Sequence, residues 1–296
     1  MIHSKSEQRH QVVINIIMML VTVIMVAPLL LLLMSSITEE KSLLVYGYSF
    51  LPKKYSLDAY RYIFTNGATI FRAYGITILV TIIGTVANLM MSSMAAYSLS
   101  IKKLPLRGII NFYIFFTMLF NGGLVPAYLM WSNTFHIKNT IWALILPNFM
   151  CSAMNVILMR TYYMTSIPEA LYEAAKIDGA SYSYIYRKVV LPMGKPIMVT
   201  VGLFAGLSYW NDWTNGLYYI NDTKLYSIQT LLNKMIQDIQ AMQANASSAS
   251  SGAAMSIPAV SVRMAIAVVA LLPILILYPF LQKYFAEGIA LGAVKG

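Results

Sequence analysis

A polar, charged stretch lies between long apolar runs of this chain at 173–192, EAAKIDGASYSYIYRKVVLP. Glu173 and Asp178 supply carboxylates, and Lys176, Arg187 and Lys188 supply cations. A charged stretch between two long apolar segments does not hold a membrane fold together, so the chemistry open to it is ion pairing and docking with something in water. Other chemistries are excluded. The lone cysteine, Cys151, rules out an intrachain disulfide, and His3, His10 and His136 are too scattered to make a metal site. The phosphate-cradling pattern G-x-x-x-x-G-K-[ST] does not occur; Met193-Gly194-Lys195-Pro196 comes nearest and lacks the first Gly and the Ser/Thr.

Local sequence predicts how the stretch is held. Ser166 with Glu169 makes a capping-box pattern, Pro168 falls in the first turn, and the helix runs through EALYEAAKI until Gly179, a residue suited to a left-handed cap. A second short helix follows, with Tyr182, Ile185, Tyr186 and Val189 on one face and Tyr184, Arg187 and Lys188 opposite. Pro192 and Pro196 mark the approach to the next apolar segment.

The elements around it belong to a membrane protein. Hydrophobic residues make up 58% of the chain and charged residues 11%, with a mean hydropathy of +0.65; a soluble domain carries about 25% charged residues. A bilayer core about 30 Å thick needs roughly 20 apolar residues of helix. The segments that qualify are Val12–Met34, Tyr74–Ser98, Gly108–Trp131, Thr140–Met159, Pro196–Tyr209 with flanking sequence, and Met264–Leu281. The expected fold is therefore all-α, one polytopic domain over 1–296 with about six transmembrane helices. The first segment is too long, and lacks the small-residue cleavage pattern, to be a removed signal peptide. Lys and Arg near span ends resist translocation, and the tight connection IKKLPLR (101–107) sets the orientation. It places both termini and the loop at about 160–195 in the cytoplasm, with the tail at 282–296. The net charge of +10 follows from this topology, not from nucleic-acid binding, since no basic stripe with interleaved aromatics lies outside the apolar segments.

The outer connections have their own character. LDAYRYIF (57–64) reads as a short amphipathic helix. The connection at about 211–261 opens on an aromatic run, continues as SIQTLLNKMIQDIQ at helical spacing, and ends in an Ala/Ser/Gly stretch that reads as a flexible linker.

Glu173, Ala174, Ala175, Gly179, Val189, Leu191 and Pro192, at their spacing, resemble the EAA loop of ABC-importer permeases, with Val189 where Ile is usual. FNGGLVPAYLM (120–130), NTIWALILPN (139–148), ILMRTYY (157–163), SYWNDWTNGLYY (208–219) and LQKYFAEGIALGAVKG (281–296) resemble the maltose-type sugar permeases. The likeness is to the G-type partner, and closer still to the LplC-like subgroup linked to complex oligosaccharides. The resemblance implies a subunit that is not an enzyme, set in a bacterial cytoplasmic membrane. It implies a second homologous permease, two ATPase subunits that bind ATP and Mg, an extracytoplasmic solute-binding protein, an oligosaccharide substrate, and no cofactor on this chain. Glu173, Ala174, Ala175, Asp178, Gly179, Leu191 and Pro192 then belong to a coupling helix docked on the ATPase. The tail would reach that interface too, its Gly288, Gly292 and Gly296 letting it run extended.

Other residues divide between structure and transport. Asn121, Gly122 and Gly123 interrupt the third span, and broken helices are tolerated in a membrane where they line a cavity or are buried in protein. With Asn148 and Asn155 they are translocation-path candidates, set against a plain kink and packing hydrogen bonds. Trp210 and Trp213 are candidates for stacking a sugar at the outer mouth, although aromatic belts with Tyr209, Tyr218 and Tyr219 are routine there. Gly202 and Gly206 form a GxxxG that packs either internally or on the partner permease. Arg160 is expected to snorkel. The other readings are an EAA-loop permease for another solute class and a stand-alone secondary transporter. The latter calls for inverted repeats and buried mid-span charges, and neither is evident.

Overall fold

The computed structural model describes residues 5–65, 67–246 and 259–293. Among these the regular structure is helical, the one β feature being an isolated bridge between Thr38 and Tyr55. In hydrocarbon a backbone must satisfy its own hydrogen bonds, which helices do within one segment. The chain is an all-α polytopic membrane protein. Two compact units divide it, one comprising residues 1–70 and 232–273 and the other residues 71–231 and 274–296.

In the first unit α1 (Lys5–Ser36) carries the uncharged aliphatic run; the span Gln11–Ser36 has a mean hydropathy of 3.0 and buries none of its most apolar stretch within the chain. α2 (Glu40–Tyr46) and α3 (Asp58–Thr65) follow, the latter where the amphipathic helix is expected. The Ser36 hydroxyl shares a hydrogen bond of 2.8 Å with Tyr60 Oη. Glu40 accepts from the backbone N–H groups of Val260 and Ser261 and from the Ser261 hydroxyl, at 2.6–2.9 Å, near the start of the last helix.

The second unit is built on α4 (Gly67–Ser100), the other helix long and apolar enough to cross a membrane unaided. After it come α5 (Arg107–Leu119) and α6 (Leu124–Leu129), the latter extended by a wide turn over Met130–Thr134. Then follow α7 (Trp142–Ile145), α8 (Ala153–Ser166) and α9 (Glu169–Ile177). α10 (Tyr182–Ile185) runs through a π-turn at Tyr186–Val190 into α11 (Leu191–Met193). α12 (Lys195–Trp210) and α13 (Thr214–Tyr219) complete this unit's run; α14 (Ile228–Ala246) belongs mostly to the first unit, and α15 (Ala259–Ala293) begins in the first and ends in the second.

Two cores sit along α4, one near its middle and one near its C-terminus. Val80 packs with Ala143, Leu144, Ile145, Tyr209, Tyr219 and Ile220. Ala96, Tyr97 and Leu99 pack with Val156, Met159, Tyr163, Ile185 and Val190. The sixteen residues from Val80 to Ala96 rise about 24 Å along the helix, so the two cores are separated by most of a hydrocarbon thickness. Between them α12 runs antiparallel along α4. A Cβ on Gly202 would meet Leu89 at 3.1 Å, one on Gly206 would meet Thr85 at 3.4 Å, and one on Gly84 would lie 2.6 Å from Tyr209 ring carbons. The GxxxG therefore packs internally, where small residues let the two backbones approach.

The interruption expected at Asn121–Gly123 is there, the third apolar segment being two helices bent by 111° across Phe120–Gly123. Other expectations are corrected. The fourth, expected as Thr140–Met159, is not a continuous helix: Pro147 has no N–H to donate and Asn148 turns left-handed at φ 67, so α7 ends and α8 begins afresh at Ala153. The tail is not extended, because α15 continues to Ala293 through Gly288 and Gly292; a helical glycine costs only about 1 kcal/mol, too little to end a helix among Ala and Leu. Tyr209 and Tyr219 are core residues, not belt residues. The Ala/Ser/Gly linker lies largely outside the described residues.

Candidate functional site

α9 does not begin with a capping box. Ser166 closes α8, Pro168 occupies the cap position at φ −58 and ψ 133, and no side chain caps the helix. Glu169 instead pairs with Lys102 at 2.7 Å. Both groups are exposed, so the pair adds little stability, but it ties the IKKLPLR connection to α9. The same connection is fixed from the other side. Arg107 and Arg160 both donate through Nε to the carbonyl of Leu99, at 2.9 and 3.2 Å, where the C-terminal dipole of α4 favours cations. Arg160 is thus bound to a helix end and not snorkelling.

The C-terminus of α9 follows expectation. Ala180 N–H donates to Ala175 O at 2.9 Å and Gly179 N–H to Lys176 O at 3.0 Å, the paired bonds of a Schellman cap, with Gly179 at φ +73. Nothing lies within 4 Å of where a Gly179 Cβ would point, so the constraint is torsional and not steric. Tyr172 and Ala175 pack onto the core. Glu173, Ala174, Asp178 and Gly179 are exposed, beside Leu171 at 41% and Ile177 at 86% exposure. The helix thus presents acidic and apolar side chains to solvent together.

The second helix is pinned. Ser181 Oγ accepts from Tyr184 N–H at 3.3 Å, Tyr186 Oη donates to Ser93 Oγ at 3.0 Å, and Ser93 shares a 2.8 Å hydrogen bond with buried Tyr163. The π-turn inserts one residue into the register, so Val190 is buried while Val189 is only half-buried. Tyr182, expected on the buried face, is 57% exposed; its carbonyl accepts from Tyr97 Oη at 3.2 Å. Leu191 is half-buried and Pro192 exposed.

The path candidates separate. Asn121, Gly122 and Gly123 form the exposed break before α6, where Asn121 Oδ1 accepts from Gly123 N–H at 2.8 Å and Gly123 takes φ +89. Asn155 is buried and donates to Asn88 Oδ1 at 3.0 Å, while Asn88 donates to the carbonyl of Phe149 at 2.6 Å. Its amide is engaged in packing α8 on α4. Asn148 is exposed and donates to Asn215 Oδ1 at 3.3 Å. Trp210 is buried, its Nε1 without a partner among the described residues, whereas Trp213 is 42% exposed.

Sequence reasoning missed Asp212, which is 7% exposed. Its Oδ1 accepts from the N–H groups of Thr214 and Asn215 at 3.0 and 3.1 Å, capping α13, and burial raises its carboxyl to about 6. The signal available was Asp two residues before a helical Thr-Asn-Gly, hidden in an aromatic run.

An all-α membrane fold with a pinned, solvent-facing pair of short helices between apolar segments defines the class: a polytopic membrane protein. The chain belongs to the family of binding-protein-dependent transport system inner membrane components, matched over residues 88–290. It is 39% identical over 246 residues to the polygalacturonan/rhamnogalacturonan transport system permease protein YtcP of Bacillus subtilis (strain 168), covering 83% of this chain and 84% of that protein. To protein LplC of the same organism it is 34% identical over 259 residues, 87% and 85% of the two chains. A crystal structure of a bacterial ABC transporter involved in the import of the acidic polysaccharide alginate contains a chain that superimposes with a TM-score of 0.80 at 28% identity, covering 96% of this chain and 99% of that one. Members of this family are permease subunits and not themselves enzymes.

Proposed function

We propose that this chain is the transmembrane permease subunit of an ATP-driven oligosaccharide importer in a bacterial cytoplasmic membrane. It forms one transmembrane domain crossing six times with both termini inside, and half of a translocation path shared with a second, homologous permease. The broken third and fourth segments count as single crossings in this reading. Two partner ATPases bind ATP and Mg, and a solute-binding protein delivers the sugar from outside.

The observation that carries this reading is the solvent-facing surface of α9. Leu171, Ala174 and Ile177 are apolar side chains left in water next to Glu173 and Asp178, on a unit whose second helix is bonded to α4 and α8. Such a surface gains by docking in a groove with basic residues. Its anchorage makes it a lever, because movement of the docked partner reaches α4, α8 and α12 through packed helices. The Lys102–Glu169 pair puts the cation-rich IKKLPLR connection at the same end of α4, in keeping with a cytoplasmic loop. The sugar class follows relatives named for polygalacturonan, rhamnogalacturonan and alginate transport. Co-purification in mild detergent tests it: the chain brings down a second permease and an ATPase, and cells lacking it lose oligosaccharide uptake. Uptake by the chain alone in liposomes would show a secondary transporter instead.

A further inference from the structure

We propose that Lys138 reads a carboxylate at the outer mouth, and that the sugars passed by this permease are acidic, carrying uronate groups; this deepens the oligosaccharide reading and rests on it. The turn bearing Lys138 is strained. His136 and Asn139, on either side, both take left-handed backbone conformations at φ 52 and 57, each costing on the order of 1 kcal/mol for a residue with a Cβ. Such conformations persist only where the surroundings hold them, and here they do. Ile137 N–H donates to Trp131 O at 3.2 Å and Asn139 N–H to Tyr219 O at 3.0 Å, while Asn139 Oδ1 accepts from Asn221 and Asp222 N–H at 2.6 and 3.2 Å.

The residue presented by this turn is Lys138, half-buried as a whole. Lys138 Nζ donates to Tyr128 Oη at 2.7 Å and lies 5.3 Å from the centroid of that ring, which stacks on Tyr219 at 5.7 Å. An ammonium has three donors, and no carboxylate of the described residues forms an ion pair with it. Lys54 and Lys234, by contrast, pair with Glu39 and Asp238. The donors of Lys138 not given to Tyr128 are open to an anion that docks there.

Position and surroundings point to the sugar as the source. Tyr128, Trp131 and Ile137 pack on the Val80 core, remote along α4 from the coupling loop. Tyr128 belongs to α6, the helix that follows the Asn121–Gly123 break. Phe135, whose ring lies 5.1 Å from that of Trp131, is 56% exposed, an aromatic face of the kind that stacks on sugar rings. A uronate bound there would place its ring on the aromatics and its carboxylate on the ammonium.

The test uses the importer isolated with its partner subunits and binding protein in proteoliposomes, with a galacturonate trisaccharide as probe, comparing wild type with Lys138→Gln and Lys138→Arg. Two quantities are read: trisaccharide uptake, and the concentration of loaded binding protein that half-maximally stimulates ATP hydrolysis. Lys138→Gln should cut uptake about thirtyfold or more, as loss of one charge-pair partner does, with half-stimulation unchanged, and Lys138→Arg should recover most of the uptake. Unchanged uptake in Lys138→Gln overturns the proposal. So does a parallel rise in half-stimulation, which would mean that Lys138 meets an acidic side chain of the binding protein. Equal loss in both variants would mean that it only shapes the turn. Wild-type import of neutral but not acidic oligosaccharides sinks the uronate assignment alone, whereas import of no oligosaccharide at all sinks the function on which it rests.

Discussion

Glu173 and Gly179 occupy one exposed helix end for different reasons. Glu173 makes no ion pair among the described residues, so its charge is free for a basic partner. Truncating one member of an interfacial charge pair typically costs about 2–5 kcal/mol, and reversing its sign costs more. Glu173→Ala is therefore expected to weaken ATPase docking and Glu173→Lys to abolish uptake, both at normal expression; uptake and ATPase co-purification from the same membranes check this. Gly179→Val should do comparable damage through the backbone, since a β-branched residue is poorly accommodated at φ +73 even with open space around it. Asp212 offers a pH signature. Its carboxyl titrates at about 6 in the fold against 3.8 unfolded, so the folded state holds the extra proton between these values. Stability from this group is then fully present below about pH 3.8 and is lost as pH rises through 6, by about 3 kcal/mol at most. Melting temperatures in detergent from pH 4.5 to 7.5 should fall in wild type, and the fall should shrink in Asp212→Asn, which keeps an oxygen for the α13 amides. An identical profile in the two proteins would remove Asp212 from the account.

Elements meet where side chains are smallest. Along α4 and α12 the approach is tightest at Gly84, where a methyl forces the buried Tyr209 ring, with its 2.9 Å hydrogen bond to Ile145 O, to move. Overpacking of this kind costs about 1–3 kcal/mol. Gly84→Ala should lower the melting temperature while Gly75→Ala, in open space on the same helix, should not; equal melting would show that the Tyr209 ring yields freely. The same seam shows what could be read from the chain alone. Apolar length marked α1, α4 and α12, and the EAA spacing with Gly179 marked α9 and its cap, because in each case the governing interaction is local or the solvent is lipid. What escaped was set by tertiary contact. Pro147 and Asn148 break an apolar run that composition cannot distinguish from a helix. The π-turn after Ile185 moves the buried face by one residue, which no periodicity announces. Pro168 takes the cap that Ser166 was expected to supply, and Asp212 is buried only because α13 folds over it. The Asn88–Asn155 bond joins residues 67 apart in sequence, a pairing that spacing cannot foretell.

At the scale of the whole molecule, α4 joins two ends with different tasks. One end holds the coupling loop against Tyr97, Ser93 and Tyr163; the other holds the turn at 136–139, α13 and the start of α14. If the first end is cytoplasmic, residues on the two ends must differ in their reach from outside the cell. Among the exposed residues Lys103 and Ser181 lie at the coupling end, and Lys224 follows the stretch bonded to Asn139 at the other. In a Cys151→Ser background, single cysteines at 103 and 181 should resist a membrane-impermeant thiol reagent in intact cells and react after permeabilisation, whereas one at 224 should react in both. The prediction tests orientation independently of partners, because labelling needs neither ATPase nor sugar. Labelling of 181 but not 224 in intact cells would invert the protein, put Glu173 on the wrong side of the membrane for an ATPase, and remove Lys138 from any outer mouth.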